Sequence, residues 1–295
     1  MHRPLACAWP DARPQASMLR TRIITAVVLL ALLLPTLFLA SLSVFALVMA
    51  LFSSAAMWEW ARLAGFKSMA AVVWAVLWLA TAAALLLLMQ AGGAGSIANL
   101  RPILMAAALA WIALLAFCLP RANLPRFLAV PAVLAVLGFI VMFAAWLALL
   151  LARESGPGFL LSLLGIAWVA DIAAYFGGRA FGRSKLAPRI SPGKTWAGAY
   201  AALLAVLVYA WVCSALPGLS GTLLARIDQT YGMPAMLVSA VLLVTLSIMG
   251  DLFESLLKRH AGVKDSSGLL PGHGGVLDRV DALLPLLPIA LLFMA

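Results

Sequence analysis

Charge is scarce in this chain. Only 10% of its 295 residues are Asp, Glu, Lys or Arg, and 65% are hydrophobic. Soluble globular chains carry roughly 25% charged and 45–50% apolar residues. A single globular core cannot hide this much apolar surface. An ordinary soluble enzyme is therefore excluded, as are a disordered chain and a collagen-like repeat. What remains is a polytopic membrane protein, in which lipid is the solvent for most side chains. Cysteine is scarcer still. Cys7, Cys118 and Cys213 lie far apart with no C-x-x-C pair, which excludes a disulfide framework; the last two sit in apolar stretches as small lipid- or core-facing residues. No internal repeat and no soluble domain is visible either. The longest polar segments are 178–194 and 258–279.

Apolar runs bounded by charge or turn residues predict nine spans, near 23–40, 41–58, 69–89, 103–119, 127–152, 158–177, 195–215, 233–257 and 280–294. A span takes about 20 residues, so the first two and the last are short, and Pro35 would kink the first. With the N-terminus in the cytoplasm, only Arg101, Arg153 and Arg226 fall outside, and the other seventeen of the 20 Lys and Arg fall inside. This asymmetry supports orientation and parity together. An eight-span reading would move the basic stretch Arg3–Arg22 outside. The same bias explains the net charge of +10 without a nucleic-acid partner. The run 23–40 is too long for a signal peptide and reads as an uncleaved first span. Residues 1–17 are expected to be disordered or, since Met18-Leu-Arg-Thr-Arg resembles a natural start, an upstream extension. Residues 18–295 then form a single all-α membrane bundle. Both polar segments fall on its inside face, where chemistry on a water-soluble substrate is expected.

Acids are also few, and they are unevenly placed. Asp251, Glu254, Asp265, Asp278 and Asp281 account for five of the ten. Acids beside a span are costly, so such a cluster marks function by default. Asp251, Glu254, Ser255 and Lys258 follow helical spacing and share one face; Asp278 and Asp281 share another. Between them lies a loop with Pro271 and glycines at 268, 272, 274 and 275, able to bring backbone N–H groups close to a phosphate. Carboxylates without a Cys/His set favour a hard cation such as Mg²⁺, which takes one or two carboxylates and leaves its other positions to water and phosphates. Neighbouring Lys and Arg would neutralise the same phosphates. The mixture describes phosphoryl or nucleotidyl transfer. Salt bridges capping two spans would explain the charges but not the glycines.

The order Ser255-x-Leu257-Lys258-Arg259-x4-Lys264-Asp265-x-Ser267-x2-Leu270-Pro271-x-His273-Gly274-Gly275-Val276-x-Asp278-Arg279-Val280-Asp281 resembles the signature of the phosphatidate cytidylyltransferase (CDP-diacylglycerol synthase) family, without departure. The resemblance implies that CTP and phosphatidate give CDP-diacylglycerol and pyrophosphate. It implies a divalent ion, Mg²⁺, alone or beside a second cation, held by Asp251 and Asp278. Asp281 and Asp265 would be further ligands or would orient Lys264 and Arg279. Lys258, Arg259, Lys264 and Arg279 would contact the phosphates of CTP or phosphatidate. Gly274 and Gly275 would let the backbone approach, and His273 would bond a phosphate or brace the loop. His260 reads as a solvated or interfacial residue. A homodimer in a bacterial inner membrane, its site cytoplasmic, is expected on the same basis.

A second segment runs from Asp171 to Trp196. Five basic residues and no acid lie between 179 and 194. Ser191-Pro-Gly-Lys194-Thr195 fails as a P-loop, because position 188 is Pro where that motif needs Gly. The segment is similar to a second shared stretch of the same family, matched here by Asp171, Tyr175, Gly178, Arg179, Ser191, Pro192, Lys194 and Thr195. It reads as a cationic wall for CTP or the lipid headgroup, with Asp171, Tyr175, Arg179, Ser191, Lys194 and Thr195 as binding residues. The alternative is a positive-inside loop on anionic lipid. Asp171 lies about two turns inside the sixth span, where an unpaired acid is costly, and is expected to face the same polar cavity. Two rival functions share these residues: a CTP-dependent polyprenol or lipid kinase, and a cation-coupled transporter. Transporters place acids near the midplane and often carry internal repeats; neither feature is found here.

Overall fold

The computed structural model describes residues 15–91 and 101–293, side chains excepted at 15–19, 22 and 101. Of the expected extension 1–17, residues 1–14 lie outside the described residues, with Arg3, Cys7 and Arg13. Residues 15–17 form the first turn of helix α1 (Gln15–Phe38). Helix α2 (Leu42–Leu63) follows, its N-cap Ser41 accepting from the Val44 N–H. The chain thus breaks at the expected 40–41 boundary. Then come α3 (Ser68–Gln90), α4 (Arg101–Cys118), α5 (Pro131–Glu154), α6 (Pro157–Phe181), α7 (Trp196–Ala215), α8 (Leu223–Tyr231), α9 (Met233–His260), α10 (Leu277–Val280) and α11 (Leu283–Leu292).

Six of these helices (α2, α3, α5, α6, α7 and α9) are long and apolar enough to cross a membrane, with 20 to 28 residues each. At 1.5 Å per residue they reach about 30–42 Å, enough for a hydrocarbon core of about 30 Å. Shorter apolar helical stretches cover Ile23–Phe38 and Pro102–Cys118. Large apolar side chains such as Val73, Val76, Leu109, Leu204 and Val238 are exposed, the reverse of a water-soluble surface. The protein is an integral membrane protein with an α-helical fold.

Small residues set the helix spacing, since lipid offers no hydrophobic drive between helices. Ala46, Ala50, Ala56 and Ala61 of α2 are fully buried, as are Ala71 and Ala82 of α3. Between α6 and α7 a Cβ at Gly177 would fall 2.3 Å from the Ala201 Cβ. Indole N–H groups find carbonyls across helices: Trp60 donates to Leu134 O at 2.8 Å and Trp146 to Ala46 O at 3.0 Å.

Two features depart from a purely helical reading. Strands β1 (Lys185–Ala187) and β2 (Ser191–Thr195) form an antiparallel hairpin inside the expected cationic loop, pairing Lys185 with Thr195 and Ala187 with Ser191. Helix α8 buries Leu223, Leu224 and Ile227, and its Asp228 accepts from the Ser214 hydroxyl of α7. Cys118 and Cys213 are free and buried.

Candidate active site

The functional side chains meet at one end of the bundle. Glycines bring the C-terminal half of α6 close to the start of α7, and Thr195 fills the gap between them. Its hydroxyl caps α7 by accepting from the Gly198 N–H at 3.2 Å. A Cβ at Gly178 would lie 3.0 Å from that oxygen. The hairpin therefore sits directly over α6. From β2, Lys194 reaches α9 and pairs with Asp251 at 2.6 Å. This ion pair joins the two sequence segments into one site.

A cavity of about 370 Å³ opens there, lined by Asp171, Tyr175, Arg179, Lys194, Thr195 and Asp251 among others. Arg179 donates to the Tyr175 hydroxyl at 3.1 Å. Asp281 stands beside Asp251, because α9 and the start of α11 approach closely; a Cβ at Gly250 would fall 2.7 Å from the Asp281 carbonyl oxygen. Asp171 and Asp281 each feel the Asp251 carboxylate and the Lys194 ammonium, with Arg279 acting further on Asp171 and Lys258 on Asp281. Carboxylates gathered this closely offer oxygen donors to a hard cation. Among the described residues no three His, Cys, Asp or Glu side chains converge into a closed metal cage. An open donor set of one or two carboxylates suits Mg²⁺, which keeps the rest of its shell for water and phosphate.

Beside the cavity, the 264–281 loop is held by two carboxylates. Asp278 accepts from Lys258 Nζ at 2.7 Å, from the Gly275 N–H at 2.8 Å and from both the N–H and the hydroxyl of Ser266. Burial alone would raise the Asp278 carboxyl, but the Lys258 and Gly275 hydrogen bonds prevail and hold it at about 2. Lys258 also pairs with the buried Glu254, one turn earlier on α9. The second carboxylate is Glu59 of α2, fully buried. It accepts from the hydroxyls of Ser266 and Ser267 and from the N–H groups of Val276 and Leu277. Gly275 has no side chain because of this clamp: a Cβ there would fall 1.9 Å from Ser266 Oγ and 2.5 Å from Glu59 Oε1. Gly274 needs its positive φ of 86° for the turn.

The other expected site residues are spread around this assembly. Arg259 donates to Ile190 O at 3.3 Å, bracing the hairpin. Arg279 donates to His273 O at 3.1 Å through Nε and again through Nη2. The Nδ1 atom of His273 is buried without a hydrogen-bond partner among the described residues. Lys264 and Asp265 are exposed at the loop; of the expected site residues only Asp171, Tyr175, Arg179, Lys194, Thr195 and Asp251 line the cavity, and those of the 258–281 segment stand beside it. Glu59 was not singled out from the sequence. The signal was present, since it is a lone acid between Trp58 and Trp60 at the end of an apolar run, and an acid at a span warrants the same suspicion as the later cluster.

An integral membrane bundle with acids and basic residues around a polar cavity suits a membrane enzyme that handles phosphate-bearing substrates. More particularly, the chain belongs to the cytidylyltransferase family, whose model matches residues 20–295. It is 39% identical over 283 residues to the phosphatidate cytidylyltransferase of Pseudomonas aeruginosa, covering 94% of this chain and 98% of that one. It is 34% identical over 290 residues to the phosphatidate cytidylyltransferase of Haemophilus influenzae, covering 92% and 96%. Against the enzyme of the same name from Thermotoga maritima it is 38% identical over 138 residues.

Proposed function

We propose that this protein transfers the cytidylyl group of CTP to phosphatidate, giving CDP-diacylglycerol and pyrophosphate. The observation that carries this reading is the Lys194–Asp251 contact, which brings the cationic segment and the acidic signature around one cavity. The attacking group is the phosphate monoester of the lipid, whose second pKa is about 6. It is largely a dianion at neutral pH, so no protein nucleophile and no covalent intermediate is required. One of its oxygens bonds to the α-phosphorus of CTP. The bond from that phosphorus to the oxygen bridging the α- and β-phosphates breaks, and pyrophosphate leaves with the electron pair.

The protein's work is to hold two polyanions together and to stabilise charge as it moves to the leaving group. Lys194 and Arg179 on the cavity wall would take the CTP phosphates, and Arg279 the lipid phosphate. Lys258, fixed between Glu254 and Asp278, stiffens the loop and keeps positive charge beside the site. Asp251 and Asp281, with Asp171 opposite, would hold Mg²⁺. Asp278 would join them only by releasing Lys258. When bound, Mg²⁺ would offset phosphate charge.

Seventeen of the 20 Lys and Arg fall on the cytoplasmic side of the nine-span reading. Contacts that group alternate helix ends at the site support that parity. Glu59 near the end of α2 holds the loop, and the Trp60 indole reaches Leu134 near the start of α5. A cytoplasmic site in the inner membrane of a bacterium, with a homodimer as the working unit, completes the proposal. The test is turnover by detergent-purified protein with CTP, phosphatidate and Mg²⁺. Lipid-extractable CDP-diacylglycerol that disappears with EDTA or with Asp251→Asn supports the reading. An unreactive but folded wild type overturns it.

A further inference from the structure

A second cavity of about 270 Å³ runs between α1, α2, α5 and α6. Its character is opposite to that of the polar one. Its walls are Leu, Met, Phe, Ala, Val and Trp side chains, with Ser53 the lone hydroxyl and Arg279 the lone charge. Along α1 it extends from Leu29 to Leu37, and along α2 from Phe45 to Ala56. At 1.5 Å per residue that is a depth of about 12–16 Å. Half of a hydrocarbon core of about 30 Å is about 15 Å, so the groove is as deep as one leaflet.

Helix α6 joins the two cavities along a single face. Leu161, Leu164 and Trp168 line the apolar groove, and Asp171, Tyr175 and Gly178 line the polar cavity. These positions recur at spacings of three and four residues, which is one stripe of a helix. The change from apolar to polar falls between Trp168 and Asp171, within one turn. Arg279 sits at that level: it belongs to the groove lining, and its charge is felt at Asp171 across the boundary. Two of its donors go to His273 O, and a guanidinium has five. The rest have no hydrogen-bond partner among the described residues and can meet a phosphate at the mouth of the groove.

We infer that this groove is the seat of one acyl chain of the diacyl phosphate substrate, with Arg279 at its mouth holding the phosphate. A molecule with an anionic head and a chain one leaflet long matches the single cation, the apolar walls and the depth. The inference rests on the reading that phosphatidate is the acceptor, and it adds where the lipid lies. Helix α1 closes the groove on one side and is tied to the signature loop through Thr25 and Pro271 O. Chain and headgroup are thereby held by the same piece of structure.

The test pairs a blocked groove with a mapped one. Leu161→Trp places an indole at the far end of the groove, two turns from Trp168 and away from every group assigned to the chemistry. With dioleoyl phosphatidate this variant is expected to raise KM at least tenfold. With dihexanoyl phosphatidate, whose chains end short of Leu161, KM and kcat should stay within twofold of wild type. Equal losses on both lipids, or no loss on either, overturn the assignment. In the wild type, phosphatidate with a mid-chain diazirine should crosslink to peptides 29–37 and 160–168. Labelling confined to outward faces, such as Val72–Leu77 of α3, overturns it independently of folding in the variant. The crosslinking needs no turnover. A wild type that makes no CDP-diacylglycerol yet labels in the groove would refute the reaction and leave a diacyl phosphate site.

Discussion

Truncating Glu59 would leave three donors without their acceptor, the Ser267 hydroxyl and the N–H groups of Val276 and Leu277, and would leave the Ser266 hydroxyl only Asp278. Each buried unsatisfied donor costs about 1–3 kcal/mol. Glu59→Ala should therefore lower the thermal unfolding midpoint in detergent and remove at least nine-tenths of the activity; a variant of wild-type stability and rate would refute the clamp. Lys194 predicts differently, because it is partly exposed on the cavity wall. Lys194→Met should weaken CTP binding about tenfold, or about 1.4 kcal/mol, with little change in unfolding midpoint. Titration of CTP by calorimetry decides this, and unchanged affinity would contradict it. At this scale the sequence was informative where charge is scarce. Every acid from 251 to 281 could be picked out, because an acid beside a span is conspicuous. Which acids are free and which are spent on the protein was not legible. Asp278 and Asp251 look alike in the motif, but one is wrapped in hydrogen bonds from Lys258, Ser266 and Gly275, and the other opens on the cavity. That difference arises from a chain reversal that only the folded loop displays.

The long helices followed from the length of apolar runs, and their packing depends on where the small residues fall. The α6–α7 contact is the sharpest case. Overpacking a tight contact costs about 1–3 kcal/mol, so Gly177→Val, whose Cβ would collide with Ala201, should be destabilised by that order. Because Gly178 and Thr195 of the same contact line the cavity, the variant should also lose CTP affinity. Thermal unfolding and CTP titration of one preparation measure both, and a neutral variant would show that the helices can part at no cost. The β1–β2 hairpin was missed because its segment, with Lys185, Arg189 and Lys194 and no acid, read only as a cationic wall. Strand pairing there is enforced from outside, by Arg259 on Ile190 O and Lys194 on Asp251, and not by a pattern of alternating apolar residues. Helix α8 was missed for a related reason: nine residues with a narrow apolar face give a weak periodic signal beside spans of twenty or more.

For the molecule as a whole, the proposed cytoplasmic placement of the site predicts which positions face which side. In sealed, right-side-out vesicles, on a background without the native cysteines, Arg183→Cys beside the hairpin should resist a membrane-impermeant maleimide until the vesicles are opened. Gln229→Cys on α8 should react at once. The reverse pattern would invert the orientation, and equal reactivity would break the span count. Six helices satisfy the length of a span outright. The shorter apolar stretches of α1 and α4 and the ten residues of α11 show why boundaries could not be read from composition: these helices end against protein and loop as well as lipid. The central claim concerns which phosphorus of CTP is attacked, and the position of a label tests it most directly. Wild-type protein should be supplied with phosphatidate, Mg²⁺ and CTP labelled at either the α- or the γ-phosphate. The account predicts that α-label enters the lipid phase and γ-label leaves in pyrophosphate. Transfer of the γ-label to lipid would make the protein a kinase and contradict it.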